Sequence, residues 1–215
     1  MSQHWSHVVF LHYEVDAFKL QNLVPFPLDL FEGKAVVSIV PFVMSRIRFP
    51  FLPQVPGPSK LLELNLRTYV RVNGRPAVYF FTLDSNHLPA VLIARWFFFL
   101  PYRWVKLCFT KRNSDYEFSS PEFEIRAKIG EVQKVTEFDL WATERYALMT
   151  HRGSRNLCGV VEHGPWELQC LDLVSLKDDF SKLLGDDLAA KSFRATSYSR
   201  ELNVRFRPFK AMAIY

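Results

Sequence analysis

The sequence predicts an α+β domain, mainly antiparallel β, whose sheet is curved or closed into a β-barrel with a few flanking helices. Three observations support this class. Strand-like segments outnumber helix-like ones, residues 63–70 alternate between polar and apolar side chains, and Asn73-Gly74 separates two strand-like segments as a hairpin turn. Because closure removes exposed strand edges, so many strands in one chain favour a barrel.

The composition fits one domain covering residues 1–215. A chain of 215 residues that is 49% hydrophobic and 23% charged can bury one substantial core. The net charge is +5, but Lys and Arg are dispersed, so no nucleic acid partner is expected. Three cysteines without a paired spacing, and an N-terminus without a signal-peptide pattern, favour a cytoplasmic protein. The longest apolar run, residues 88–102, is too short to span a bilayer, so no membrane partner is expected.

Strands are predicted wherever the chain alternates or is rich in Val, Ile and aromatic residues. By residue number these segments are 8–15, 34–44, 63–70, 78–84, 104–111, 116–128 and 199–207, with a further hairpin-like region at 159–173. Residues 48–59 carry four prolines and are predicted to form a loop.

Helices are predicted from their N-terminal caps. The expected caps are Asp16 before a short helix from residue 17, Ser85 or Asn86 before residues 88–99, and a Thr136–Asp139 capping box before a helix running to about residue 145. The second helix is apolar on nearly all sides, so we expect it to pack against the sheet or to plug it. Residues 176–184 are amphipathic and stop at Gly185.

The polar face of residues 63–70 is the main functional prediction. Its members are Glu63, Asn65, Arg67 and Tyr69, whose side chains share one side of a strand. The strand lies in the most apolar third of the chain, where charged groups must be paired and hydrogen-bonded. We therefore expect these four side chains to line a barrel interior; a solvated strand face is the alternative interpretation.

Neither a metal nor a cofactor is predicted. His4 and His7 have the spacing of two ligands on one helical turn, but no third ligand lies close in the sequence. The chain also lacks a glycine-rich phosphate loop. Lys106 is interpreted as a surface lysine.

Several motifs, spread in order over nearly the whole chain, together resemble one known family. They are Phe10-Leu11-His12-Tyr13, Pro41-Phe42, residues 63–70, residues 79–84, Ala94-Arg95, Leu100-Pro101-Tyr102 and His163-Gly164-Pro165-Trp166. This series is similar to the uncharacterised bacterial family called domain of unknown function 2071, which in turn resembles the acetoacetate decarboxylase-like superfamily. The resemblance implies a curved antiparallel β-barrel around a small-molecule cavity.

The resemblance does not extend to the chemistry of acetoacetate decarboxylases. In those enzymes a lysine pair follows a Phe-Pro turn, and one lysine forms a Schiff base with the substrate. Here Tyr102 and Arg103 follow Pro101. Without an amine at that position, Schiff-base decarboxylase activity is not expected.

Two functions are compatible with these residues. The first is binding of a small acidic or carbonyl-bearing metabolite by Asn65, Arg67, Tyr69, Arg95 and Arg103. Arg67 presents its planar guanidinium group to a ligand carboxylate, and Arg95 or Arg103 balances the charge of Glu63.

The second function is that of a lysine-independent enzyme for enolisation, hydration or aldol-type chemistry. In it, Glu63 is the general acid or base, and Tyr102 or Arg103 polarises a carbonyl. A third, weaker option is a peripheral membrane protein that uses the aromatic residues 96–99 with Arg103 and Lys106 at an interface.

Overall fold

The computed structural model describes residues 1–48, 60–153, 155–185 and 192–212. In chain order, the elements of these ranges are β1 (Ser2–Val15), α1 (Ala17–Gln21), β2 (Ala35–Arg48), β3 (Lys60–Val72), β4 (Arg75–Ser85), α2 (Leu88–Phe98), β5 (Tyr102–Trp104), β6 (Cys108–Arg112), β7 (Asp115–Ser119), β8 (Phe123–Val132), α3 (Glu137–Thr143), β9 (Ala147–Arg152), β10 (Arg155–His163), β11 (Gln169–Asp178), a 3-10 helix (Phe180–Leu184), β12 (Ser192–Phe206) and β13 (Lys210–Ala211). The predicted loop at residues 48–59 lies outside the described residues, except for Arg48 at the end of β2.

Seven strands of the described chain close into a ring. Their order is β10-β9-β4-β3-β2-β1-β12, and pairing of β10 with β12 completes the circle. An odd number of strands cannot alternate in direction all the way round, so one neighbouring pair must be parallel, and that pair is β4 with β9. Strands β11, β8, β7 and β6 extend the sheet beyond β12. The predicted antiparallel barrel is confirmed.

The local turn and cap signals were correct in three places. Asn73 and Gly74 have φ angles of 50° and 76°, as a tight hairpin turn between β3 and β4 requires. Asp16 caps α1 by accepting a hydrogen bond from the backbone of Lys19. Thr136 and Asp139 form the predicted capping box of α3.

The cap of α2 differs from the prediction. His87 is the N-cap, and its Nδ1 accepts a hydrogen bond from the backbone of Ala90. The two expected caps are occupied elsewhere, because Ser85 is the last residue of β4 and the Asn86 side chain accepts a hydrogen bond from the backbone of Leu62.

Within the described ranges, none of the helices combines the length and the apolar character that crossing a membrane requires.

Two predicted strands and one amphipathic segment are divided in the structure. Residues 104–111 contribute the end of β5 and most of β6, and residues 116–128 are split between β7 and β8. Pro121 lies in the second break, since a proline cannot donate to the strand ladder. Residues 176–184 form the end of β11 and the 3-10 helix.

Strand β3 is buried on both faces. Leu64, Leu66 and Val70 belong to the main apolar core, which also includes residues of β1, β2, β7 and β8. Glu63 and Asn65 on the opposite face are each 5% exposed. The polar face of β3 therefore points into the protein, and the solvated-face interpretation does not hold.

Candidate functional site

A cavity of about 800 Å³ opens at the end of the ring where β3 begins. This volume is typical of small-molecule sites. Most of the wall is apolar and includes Trp5, Leu61, Phe80 and Trp166, while α2 lies along one side and contributes Ile93. Three polar residues of β3 interrupt this apolar surface.

Glu63, Asn65 and Arg67 line the cavity, as the alternation of β3 predicts. Tyr69, the next residue on the same face, is fully buried and is not part of the lining. Its ring packs against Trp141, with 4.5 Å between the ring centroids. We call Glu63, Asn65, Arg67 and Tyr102 the polar floor of the cavity.

The Glu63 carboxylate is held by uncharged neighbours. Oε2 accepts a hydrogen bond from the Tyr102 hydroxyl at 2.8 Å, and Oε1 accepts one from Asn65 Nδ2 at 3.2 Å. Burial raises the pKa of Glu63 to about 7; the two hydrogen bonds oppose this rise, and the charge of Asp84 adds to it. The carboxyl group therefore exchanges a proton near neutral pH, which suits a general acid or base.

Tyr102 stays a hydrogen-bond donor to that carboxylate. Burial, and then the adjacent Glu63 charge, hold the pKa of Tyr102 well above its usual range. Glu63 and Tyr102, which the sequence assigned to one site, line the same cavity at hydrogen-bond distance, and their catalytic roles stay a prediction.

The Arg67 guanidinium has no carboxylate partner among the described residues. Its Nη2 donates to the backbone oxygen of Ala142 at 3.4 Å, and its cation lies 5.5 Å from the ring centroid of Phe10 and 5.7 Å from that of Tyr69. Its Nε is buried without a hydrogen-bond partner. A cation beside apolar walls is unfavourable unless an anion compensates it. Arg67 is therefore the uncompensated group of the polar floor.

Arg145 also lines the cavity, although no sequence pattern pointed to it. It is 6% exposed and donates from Nη1 to the Asp29 carboxylate. Its guanidinium lies 5.0 Å from the ring centroid of Tyr69, so that ring contacts two arginines. Burial lowers the pKa of Arg145, and Asp29 opposes that shift. Asp29 and Arg145 are 116 residues apart, and no spacing pattern links them.

The structure does not bring Arg95 or Arg103 to the cavity. Arg95 is exposed on α2. Arg103 donates from Nε and Nη2 to the fully buried Asp84, at 2.7 Å each, and from Nη2 to Glu122 at 2.6 Å. The prediction that one of these arginines balances Glu63 is wrong. Parallel pairing of β4 with β5 places Asp84 directly opposite Arg103, so that carboxylate takes the guanidinium.

Two histidines of the quoted motifs have structural contacts. His12 Nδ1 lies 2.7 Å from Ser38 Oγ, which is itself 2.7 Å from the Tyr69 hydroxyl. Burial, and then the charge of Arg67, lower the pKa of His12 to about 3, so its ring is neutral. His163 lines the cavity and stacks on Tyr146, with 4.6 Å between centroids.

The described parts of the chain contain neither a metal-binding cluster nor a lysine in the cavity lining. No three His, Cys, Asp or Glu side chains there are close enough to hold a metal ion. The cavity lining, within the same ranges, includes no lysine.

Comparisons with known proteins agree on family and fold. A family model described as an uncharacterized conserved protein, domain of unknown function 2071, matches residues 2–206. The uncharacterized protein YqjF of Bacillus subtilis (strain 168) is 38% identical over 183 residues, which cover 79% of this chain and 75% of that protein.

Two solved structures share the fold at low sequence identity. Acetoacetate decarboxylase from Legionella pneumophila aligns with a TM-score of 0.69 and 14% identity, covering 100% of this chain and 88% of that one. The enduracididine biosynthesis enzyme MppR complexed with pyruvate aligns with a TM-score of 0.65 and 14% identity, covering 100% of this chain and 91% of that one. The sequence match and the shared ring of strands confirm the predicted resemblance, and the chain belongs to the domain of unknown function 2071 family with an acetoacetate decarboxylase-like fold.

Proposed function

We propose that the cavity binds a small acidic or carbonyl-bearing metabolite and that Arg67 binds its carboxylate. The observation that carries this proposal is the Arg67 guanidinium in the cavity, without a carboxylate partner among the described residues and with an unpartnered Nε. A ligand carboxylate would supply charge-assisted hydrogen bonds and the missing negative charge. The fold relative MppR is complexed with pyruvate, which has both a carboxylate and a carbonyl.

The rest of the polar floor offers a hydrogen-bond acceptor next to the proposed carboxylate site. Glu63 and Arg67 lie four residues apart on β3, so their Cα atoms are separated by ~13 Å, with Asn65 between them. Asn65 Oδ1 is buried without a partner. An unsatisfied buried acceptor is costly, so we infer that a donor from a ligand or a water completes this site. We propose that residues 1–215 form one cytoplasmic domain, a location that the free cysteines favour.

Replacing Arg67 with methionine is expected to weaken pyruvate and acetoacetate binding by at least ~10-fold without lowering the melting temperature. The variant keeps most of the side-chain volume and removes a charge that has no carboxylate partner in the described chain, so stability stays level or rises. Ligand-observed NMR titration and thermal unfolding measure the two effects. Arg95→Met, on the exposed surface of α2, is the matched control and should leave binding unchanged. If wild type and Arg67→Met bind these ligands with equal affinity, Arg67 does not bind the ligand carboxylate.

Acid–base chemistry is a second candidate function, favoured by one specific contact. Glu63 has a pKa of about 7 and accepts the Tyr102 hydrogen bond at 2.8 Å inside the cavity. An ionised Glu63 could remove a proton from the carbon beside a ligand carbonyl, which is the first step of enolisation. This route needs no lysine.

The test is exchange of the protons next to the carbonyl of pyruvate or acetoacetate with solvent deuterium, followed by NMR. If Glu63 is the base, the wild-type protein accelerates exchange, and the rate rises with pH through about 7 as the carboxylate forms. Glu63→Gln should abolish the acceleration while Arg67-dependent binding persists. Exchange no faster than in buffer, with either ligand bound, would leave binding as the function.

A further inference from the structure

We propose that the ligand of this cavity carries a second anionic group, a phosphate, bound at the cavity mouth by Arg46, Arg48 and Arg205. This inference rests on the proposed function and extends it. The ligand would be elongated, with an acidic or carbonyl head at the polar floor, an apolar middle, and a phosphate at what we call the mouth arginines.

The mouth arginines line two adjoining spaces. A second groove of about 540 Å³ shares all three of them with the main cavity. This groove is more polar and more open to solvent than the cavity. It is therefore the outward continuation of the cavity, where a polar end of a bound molecule would lie.

The positive charge of this groove is not balanced within the described chain. Its lining contains one carboxylate, Glu162, and that carboxylate is already paired with Arg207. Nearby Glu201 lies 3.5 Å from His4 Nε2. None of the three mouth arginines, which are all exposed, has a described carboxylate within ion-pair distance, although Glu162 lies across from Arg205 in the strand register. The planar guanidinium group of arginine has N–H donors whose spacing matches the oxygens of a phosphate.

Strand register places two of these arginines around one small residue. Ser2 on β1 pairs with Arg48 on one side and with Arg205 on the other. Residues in one cross-strand row share a face, and the two outer strands are separated by ~9.6 Å. Because the Ser2 side chain is short, we infer that a phosphate placed over it can accept hydrogen bonds from both guanidinium groups.

Arg46 lines the same groove from an irregular stretch of backbone. Ser2 pairs with Arg48 and His4 with Ser45, so Arg46 and Ile47 together face one residue of β1 as a β-bulge. Arg46 has a φ of 50°, in the left-handed region that non-glycine residues rarely adopt. Such backbone strain is characteristic of functional sites.

The distance between the two arginine groups sets the length of the ligand. On β2, the partner of Arg67 is Ser38, which precedes Arg46 by eight residues or ~26 Å of strand. Arginine side chains shorten this gap, but pyruvate alone cannot contact both ends. A molecule that fills the cavity between them needs an apolar middle.

The experiment uses three probes measured by calorimetry at fixed ionic strength: pyruvate, inorganic pyrophosphate, and phosphonoalkanoic acids of graded chain length. Arg48→Gln/Arg205→Gln should weaken pyrophosphate binding by at least ~10-fold and leave pyruvate binding unchanged. Arg112→Gln/Arg126→Gln removes the same charge from an exposed hairpin and strand and should change both affinities by less than ~2-fold. Arg67→Met should show the reverse pattern, with weaker pyruvate and unchanged pyrophosphate binding. One phosphonoalkanoic acid should bind more tightly than either short probe, because its two ends bind together.

The outcomes separate the two proposals. Loss of pyrophosphate binding that is equal in the mouth and control variants would overturn the phosphate site while leaving Arg67 untouched. If Arg67→Met leaves the affinity for pyruvate unchanged, the proposed function is overturned, and the elongated ligand with it. Phosphatidic acid vesicles form a separate arm, since a lipid headgroup also carries a phosphate. Vesicle binding through the mouth arginines, without binding of the soluble probes, would overturn the assignment of a soluble ligand.

Discussion

Replacing Arg103 with methionine is expected to lower the free energy of unfolding by about 3–5 kcal/mol. The reason is Asp84, which is fully buried and accepts two hydrogen bonds from the Arg103 guanidinium at 2.7 Å each. Those bonds, more than any other contact, raise the pKa of Arg103. Methionine retains the apolar stem but strands a carboxylate in the interior. Urea unfolding of both proteins measures the loss.

A matched control distinguishes this effect from the loss of any arginine. Arg126 pairs with Glu124 at 3.2 Å, but these side chains are 57% and 46% exposed, so Arg126→Met should cost less than about 1 kcal/mol. Adding Asp84→Asn to Arg103→Met removes the stranded charge and should recover part of the stability. A loss for Arg103→Met no larger than for Arg126→Met would contradict the structural role. Ligand binding should survive in the folded Arg103→Met protein, since Arg103 does not line the cavity.

Glu63 is expected to make stability fall by about 3 kcal/mol as pH rises from 4.5 to above 7. Burial raises the pKa of Glu63 from its ordinary value of 4.5 to about 7. Between these two values the folded protein holds a proton that the unfolded chain has released, so each step up in pH favours unfolding. Below 4.5 both states are protonated, and above about 7 both are ionised, so the contribution is constant outside this window.

Glu63→Gln removes this dependence and provides the measurement. The new amide still accepts from the Tyr102 hydroxyl, and its NH₂ can donate to Asn65 Oδ1 if the Asn65 amide rotates. We expect the variant to match wild type near pH 4.5 and to exceed its unfolding free energy by about 3 kcal/mol near pH 8. Glu131→Gln, at an exposed position, is the control for the loss of one carboxyl group and should change the unfolding free energy by less than about 1 kcal/mol. Tyr102→Phe removes a hydrogen bond to the carboxylate and should extend the upper end of the window to higher pH, while the lower end stays at 4.5. A Glu63→Gln difference that does not vary with pH would show that Glu63 ionises normally.

The signals that the sequence carried correctly were local ones. The alternation of residues 63–70 assigned Glu63, Asn65 and Arg67 to one face, and the Asn73-Gly74 turn fixed the hairpin that follows. The caps of α1 and α3 were equally local, because a capping side chain bonds a backbone group within three residues. These features depend only on the neighbouring residues, so any fold that contains the segment retains them.

The pairing of charges was decided by tertiary structure alone. The alternation along a strand indicates which side a guanidinium group faces, but the carboxylate that pairs with it depends on strand order and register across the ring. Parallel pairing of β4 with β5 places Arg103 opposite Asp84, and Arg145 pairs with Asp29, which is 116 residues away in the sequence. Glu63 is left without a cation and Arg67 without a carboxylate among the described residues, although both were predicted to line the interior. The sequence by itself determined which polar groups enter the cavity, and the three-dimensional register determined which of them stay free for a ligand.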